Sequence, residues 1–264
     1  MRELARRKGL FGLIRVMERP EDGARLYYIG DSLQSLRLRD GGSGFAYVRL
    51  AHALLRNASN VLVIGGGAGC IANMLARDGC NVTVIDIDPA AHKLARKYFK
   101  LDKRIRWLTT DPFTFLAERT PVFDAVFIDA CDARGLVPPF HEPRVLAELL
   151  RERRAADELV LNIPRAPEAP LWGDALAAKL AWRGLNVALF SSNSGVEGNE
   201  LLHVSTRQRA TDANPFRAGI PENWPPEVRD YMQGLRVHVP EPGTPRQTAS
   251  QENGARPPQQ TQAS

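Results

Sequence analysis

Glycines and carboxylates recur at the ends of apolar segments in this 264-residue chain. Gly65, Gly67 and Gly69 follow directly on the apolar residues 61–64. Glycine lets a backbone approach a ligand closely where a side chain would collide. Asp86 ends the next apolar segment, at the spacing from which a carboxylate accepts hydrogen bonds from ribose hydroxyls. The two features predict a nucleoside-binding site, with a purely structural role for Asp86 as the alternative.

Two classes of nucleoside fit such a site. The dinucleotide pattern G-x-G-x-x-[GA] fails when counted from Gly65, because its sixth position is Cys70, but it is met from Gly67, where the sixth position is Ala72. The G-x-G-x-G spacing better suits a ligand of the S-adenosylmethionine type. Asp111, after the third apolar segment, stands where it could hold an adenine amino group. A helix cap is an equally weighted alternative for Asp111.

A further pair of carboxylates follows the fourth apolar segment. Asp129 and Asp132 lie three residues apart, directly after residues 125–128. At the carboxyl end of a central strand, both could face one cleft. Paired carboxylates without metal-ligating neighbours favour a cationic ligand, because opposite charges at short range stabilise both the ionised acid and the protonated base. The alternative is that Asp132 caps a loop and Asp129 alone is functional.

The elements that must position these residues alternate between strands and helices from about residue 60 to 205, which predicts an α/β fold. We expect a doubly wound, mostly parallel, Rossmann-like sheet of the S-adenosylmethionine methyltransferase type. Ligands of such sheets bind outside the carboxyl ends of the strands, at the switch point. Strands predicted at residues 10–17, 24–29 and 32–38 form a small N-terminal β-strand appendage.

Four regions follow from this pattern. They are an N-terminal β-rich appendage (1–44), a Rossmann-like nucleoside-binding catalytic domain (45–206), a C-terminal strap (207–239) and a disordered tail (240–264). The strap holds Phe216, Trp224, Tyr231 and Met232 and is expected to lie back on the body, with a short helix after Pro226. The tail has no Ile, Leu, Val, Met or aromatic residue from which to build a core.

Composition narrows the class of protein. Residues 1–20 hold six basic and two acidic residues, so they account for four of the five net positive charges. No aromatic-basic signature accompanies them, which favours a solvated arm over a nucleic-acid-binding surface. Three cysteines without a C-x-x-C pair and five scattered histidines predict no metal site. The apolar runs are too short for a membrane span or a secretory leader, so we expect a cytoplasmic protein.

The motifs, taken together over roughly residues 10–205, resemble the spermidine synthase family, the polyamine aminopropyltransferases. The matching segments are VLVIGGGAGC with the family's VLVIGGGDGG, DIDP with its EIDP, TTDPFTFL with its GDGFEFL, and DACDARG with its DSTDPxG. The stretch from Gly44 to Tyr47 is similar to the family's acidic-aromatic-x-Tyr segment, although Gly44 lacks the acid. Five correspondences in order are far more specific than any one of them.

The resemblance implies transfer of an aminopropyl group from decarboxylated S-adenosylmethionine to a diamine such as putrescine. It further implies that the donor is a co-substrate, that no prosthetic group is present and that the chain forms a homodimer. Carried over to this sequence, Asp86 would hold the ribose and Asp111 the adenine. Asp129 would take the proton from the attacking amine, Asp132 would help seat the diamine, and Tyr47 would orient the nucleophile.

Four positions depart from the family's pattern. Ala68 stands where the family usually has an aspartate that contacts the amino groups of donor and acceptor. Val48, Ala133 and, by a loose alignment, Gly12 also replace usual family residues. These changes affect polyamine recognition more than nucleoside recognition. A methyltransferase that uses S-adenosylmethionine, or a non-catalytic nucleoside-binding protein of the same fold, therefore remains an alternative.

Overall fold

The computed structural model describes residues 1–118, 122–132, 135–150, 156–164, 172–192, 199–207 and 214–240. The strands are β1 (Arg2–Gly9), β2 (Gly12–Arg19), β3 (Ala24–Ile29), β4 (Ser32–Arg37), β5 (Asn60–Ile64), β6 (Asn81–Asp86), β7 (Arg106–Thr109), β8 (Ala125–Ile128), β9 (Cys131–Asp132), β10 (Gly135–Leu136), β11 (Glu158–Pro164), β12 (Asn186–Ser192), β13 (Asn199–Ser205) and β14 (Leu235–His238). The helices are α1 (Ala46–Leu55), α2 (Cys70–Arg77), α3 (Pro89–Tyr98), α4 (Pro112–Ala117), α5 (Pro143–Leu150), α6 (Trp172–Trp182) and α7 (Pro226–Gln233). Most of the predicted tail, residues 241–264, lies outside the described residues.

The predicted α/β class is confirmed by an eight-stranded sheet in the order β14-β12-β13-β11-β8-β5-β6-β7. The five strands from β11 to β7 run parallel, and β13, β12 and β14 extend the sheet in antiparallel pairings. The chain adds β6 and β7 on one side of β5 and then places β8 on the other side. The switch point of the sheet therefore lies between β5 and β8.

Helices cover both faces of this sheet, and the side chains of β5 pack against the helices on both sides. Val61 and Val63 belong to one buried cluster, which α1, α2 and α7 cover. Leu62 and Ile64 point to the opposite cluster, which α4, α5 and α6 cover. A strand buried on both faces needs apolar residues at every position, which explains the unbroken run from Val61 to Ile64. Among the described residues, no helix has the length and apolar character needed to cross a membrane.

The N-terminal strands form a separate antiparallel sheet in the order β1-β2-β3-β4. Its inner face packs Ile14, Val16 and Tyr27 against Ala68 and Phe99 of the main domain. The prediction of a solvated arm is wrong, because residues 2–9 form β1 and pair with β2. Carboxylates on neighbouring parts of the sheet pair with several of its arginines, such as Arg2 with Glu18 and Arg15 with Asp31. These partners are distant in the sequence, so the pairing could not be predicted from it.

The strap contributes α7 and β14, and β14 pairs antiparallel with β12 at the edge of the main sheet. Val228, Tyr231 and Met232 are buried in the cluster that also contains α1 and α2. The Trp224 ring lies 4.6 Å from the guanidinium carbon of Arg49, a cation-π contact to α1. The strap therefore adds to the core of the main domain.

Candidate active site

The loop from Gly65 to Gly69, which we call the glycine turn, connects β5 to α2 at the switch point. Gly65, Gly67 and Gly69 all have left-handed backbone conformations, with φ of 89°, 49° and 76°. A side chain at Gly65 would collide with the carbonyl oxygen of Asp129. The backbone conformation of the turn therefore favours glycine at the three positions predicted to bind the nucleoside. The turn also lies directly against the segment that carries Asp129.

The Asp86 carboxylate supports this turn from the end of β6. Its Oδ2 accepts hydrogen bonds from the N–H groups of Gly66 and Gly67 at 2.9 and 3.1 Å, and its Oδ1 accepts one from Asp88 N at 2.8 Å. Burial raises the pKa of Asp86, and the three backbone donors act in the opposite direction. Since a carboxylate offers about four lone-pair sites, one remains on Oδ1 for a ribose hydroxyl. The ribose role of Asp86 stays a prediction.

Asp111 is the N-cap of α4. Its Oδ1 accepts hydrogen bonds from Thr114 N at 2.8 Å and from Thr114 Oγ1 at 3.2 Å. Among the described residues, nothing donates to the second carboxylate oxygen. The capping role that the sequence analysis kept open is present, and the remaining oxygen is available for the predicted contact with adenine.

Asp129 follows β8, and two side chains hold its carboxylate from opposite sides. Tyr47 of α1 donates its hydroxyl to Oδ2 at 3.2 Å, and Asn162 of β11 donates its amide to Oδ1 at 2.7 Å. Burial raises the pKa of Asp129 above its ordinary value, while the hydrogen bonds from Asn162 and Tyr47 lower it. The result is a carboxylate of fixed orientation that binds a proton more readily than an exposed aspartate does.

Asp132 lies in a two-residue strand, β9, that the sequence analysis does not predict. Its backbone pairs with Gly135 of β10 in a small antiparallel hairpin. Residues 133–134, which include Ala133, lie outside the described residues, and so does the side chain of Asp132. The pairing of its charge with Asp129 stays a prediction.

Three comparisons with known proteins bear on this site. Residues 46–152 match the model of the spermine/spermidine synthase domain. Polyamine aminopropyltransferase 1 of Streptomyces coelicolor is 38% identical over 85 residues, covering 28% of this chain and 16% of that protein. The polyamine aminopropyltransferase of Clostridium beijerinckii is 28% identical over 146 residues, covering 51% of this chain and 50% of that protein.

The chain thus spans half or less of the length of these curated relatives. The crystal structure of a probable spermidine synthase from Corynebacterium glutamicum superposes with a TM-score of 0.70 at 17% identity, covering 89% of this chain and 90% of that one. Residues 46–152 are therefore similar to the spermine/spermidine synthase domain, and the chain shares the fold of the probable spermidine synthase.

Ala68 is the departure from the spermidine synthase pattern for which the structure gives a physical reason. Its side chain is completely buried in the cluster formed with Ile14, Val16 and Leu94. An aspartate at this position would place an unpaired charge among apolar side chains, which is strongly unfavourable. The N-terminal sheet therefore covers a position from which the family usually contacts its substrates.

Sequence reasoning missed two side chains at this candidate site. Asn162 is 3% exposed, and its Oδ1 has no hydrogen-bond partner among the described residues. It is a lone polar residue near the carboxyl end of an apolar strand, the same signal that identified Asp86. Ile87, next to Asp86 at the end of β6, is 41% exposed and offers an apolar surface beside the glycine turn's supporting carboxylate. Its exposure had no signal in the sequence.

Proposed function

We propose that this chain is an aminopropyltransferase that transfers the aminopropyl group of decarboxylated S-adenosylmethionine to a diamine such as putrescine. The observation that supports this most directly is the Asp129 carboxylate, which Tyr47 and Asn162 hold while the backbone of Asp129 packs against the glycine turn. A buried carboxylate beside a nucleoside-binding loop suits a reaction between a sulfonium donor and an amine. The match of residues 46–152 to the spermine/spermidine synthase domain supports the same reaction class.

The reaction needs a base because an alkylamine resembles lysine, with a pKa of about 10.4, and arrives protonated. A positioned carboxylate takes one proton from the ammonium group and leaves the nitrogen lone pair free to attack. The nitrogen then bonds to the methylene carbon next to the sulfonium, and the carbon–sulfur bond breaks with its electron pair moving to sulfur. The products are the aminopropylated amine, which leaves as a secondary ammonium, and neutral methylthioadenosine, and Asp129 then releases the proton that it took to solvent.

The surrounding residues orient the reactants in this proposal. The glycine turn, Asp86 and Asp111 bind the nucleoside, and Tyr47 and Asn162 fix the direction of the Asp129 lone pairs. Asp132 attracts the distal ammonium of the diamine. Since a neutral thioether leaves without acid assistance, in-line placement of the two substrates supplies most of the remaining rate.

The test is incubation of the purified protein with decarboxylated S-adenosylmethionine and a panel of diamines and triamines, followed by mass spectrometry. We expect an aminopropylated product and methylthioadenosine in equal amounts. Methyl transfer from S-adenosylmethionine without aminopropyl transfer would favour the methyltransferase alternative, for which the loss of the carboxylate at Ala68 is the supporting observation. Binding of methylthioadenosine without turnover of either donor would indicate a non-catalytic protein.

Asp86→Ala is expected to weaken methylthioadenosine binding by about 1.5–3 kcal/mol, the range for a hydrogen bond to a charged group. Titration calorimetry with the wild type and the variant measures this loss of binding free energy. Because Asp86 also supports the glycine turn, the control is the 2′,3′-dideoxy nucleoside. Wild type should prefer the nucleoside with both hydroxyls, and the variant should bind the two ligands alike. An undiminished preference in the variant would remove the ribose assignment.

Tyr47→Phe is expected to move the acidic limb of the kcat/KM profile to higher pH. The Tyr47 hydroxyl lowers the pKa of Asp129, so its removal raises that pKa, and a higher pH is then needed to keep the base ionised. The ring contact with Phe45, 5.7 Å between centroids, is retained. Tyr28→Phe, in β3 of the appendage, is the matched control and should leave the profile unchanged. A limb that stays in place or moves to lower pH would contradict the role of Tyr47.

A further inference from the structure

The basic residues of the first twenty positions separate into two sets. Four arginines are neutralised by carboxylates at 2.5–3.0 Å, and the pairs are Arg2 with Glu18, Arg6 with Glu3, Arg15 with Asp31 and Arg19 with Asp22. Among the described residues, no carboxylate pairs with Arg7 or Lys8. Within the first twenty residues, the positive charge that no carboxylate pairs with therefore lies at the end of β1.

Arg7 and Lys8 line a groove of about 330 Å³ between β1 and α3. Lys93 and Lys97 line it from α3, and neither has a carboxylate partner among the described residues. The rest of the lining is apolar and includes Leu94, and no acidic residue contributes to it. Four cations around an apolar surface, in a groove large enough for a ligand, form a site for a negatively charged partner.

The β1 strand that forms one wall of the groove is also an edge strand. It pairs with β2 on one side, and no described strand pairs with its other side. The backbone N–H and C=O groups along that side are therefore available to a further strand, and natural proteins use such edges to bind extended peptides. The same strand thus carries two of the cations of the groove and a free row of backbone hydrogen-bonding groups.

We propose that this groove binds an acidic polypeptide segment in an extended conformation, which adds to the free edge of β1. The carboxylates of the segment pair with Arg7, Lys8, Lys93 and Lys97. A second copy of this chain is a poor occupant, because pairing two β1 edges would bring like charges together. The phosphates of a nucleic acid could pair with the four cations, but a nucleic acid has no peptide backbone to form hydrogen bonds with the strand edge.

The probe is a fluorescent twelve-residue peptide that alternates Glu with Val, measured by anisotropy with the full chain. We expect binding that weakens as salt is added. Lys93→Gln combined with Lys97→Gln should weaken it by roughly twofold to thirtyfold, since the variant loses two exposed ion pairs. Lys179→Gln in α6, combined with Arg183→Gln just after this helix, removes equal charge elsewhere and should change nothing. Absence of binding by wild type, or equal losses in the two double variants, would overturn the proposal.

Two further ligands distinguish the occupant. A peptide of the same sequence, N-methylated at alternate residues, keeps its charge but loses backbone donors, and it should bind much more weakly. A thymidine oligonucleotide of equal charge should also bind more weakly than the peptide. Equal binding of either ligand would contradict strand addition. A change of oligomeric state in the Lys93, Lys97 variant, measured by sedimentation, would identify the groove as a contact between copies and contradict the proposal as well.

Discussion

Asp129→Asn is expected to lower aminopropyl transfer by roughly 10²–10⁴-fold, the contribution of a positioned general base. Asparagine keeps the shape of aspartate and can still accept a hydrogen bond from Asn162 or Tyr47, but it cannot take the proton from the ammonium group. Nucleoside binding should survive, because the glycine turn and Asp86 are unchanged. Mass spectrometry of the product measures the steady-state rate of transfer, and calorimetry with methylthioadenosine measures the affinity for the nucleoside.

Asp132→Asn is the matched variant for this experiment. It removes a charge that attracts the diamine and leaves the base in place, so we expect mainly a higher KM for the diamine. The two variants therefore separate base catalysis from cation binding. If Asp129→Asn retains activity within about threefold of wild type while the reaction itself occurs, Asp129 is not the base.

Ending the chain at residue 213 is expected to prevent stable folding. Val228, Tyr231 and Met232 are at most 2% exposed, and burying each such side chain contributes about 1.5–3 kcal/mol. Their combined loss approaches the total stability of a typical domain, about 5–15 kcal/mol. The truncation also removes β14 and leaves β12 as an unprotected sheet edge. Thermal unfolding and light scattering would show the effect.

A chain that ends at Pro240 is the control, because residues 241–264 contain no Ile, Leu, Val, Met or aromatic residue and their removal should leave the melting temperature unchanged. Tyr231→Ala tests the same contact without truncation. It removes a fully buried ring and a hydroxyl that donates to Asn199 O at 3.0 Å, so we expect a loss of about 3–5 kcal/mol. Equal melting temperatures for the two truncations would show that the strap does not stabilise the domain.

The parts of the site that could be predicted from sequence are those that local rules determine. The glycine turn and Asp86 follow apolar segments, and parallel strands bring their carboxyl ends to one edge of the sheet. Asn162 follows the same rule and could have been predicted as a site residue from the sequence. The hairpin that holds Asp132 could not be predicted, because β9 and β10 have two residues each and show no periodicity.

Contacts between segments that are distant in the chain could not be predicted from the sequence. β1 is an example, because its arginines look like a solvated arm until Glu18 and other carboxylates are placed opposite them. The burial of Ala68 is another, because it depends on how the appendage packs against α3. The sequence analysis identified the change at this position but not the apolar surroundings that make alanine suitable there.

The contact between Gly65 and the backbone of Asp129 has a consequence for the reaction rate. In the proposed reaction, the close packing of these two backbones, with no side chain between them, sets the separation between the nucleoside-binding turn and the carboxylate that acts as the base. That separation determines the effective molarity of the amine at the donor carbon, which is sensitive to displacements of about 1 Å. A methyl group at residue 65 would push the two backbones apart, so in the proposed reaction the glycine keeps the two substrates within bonding range.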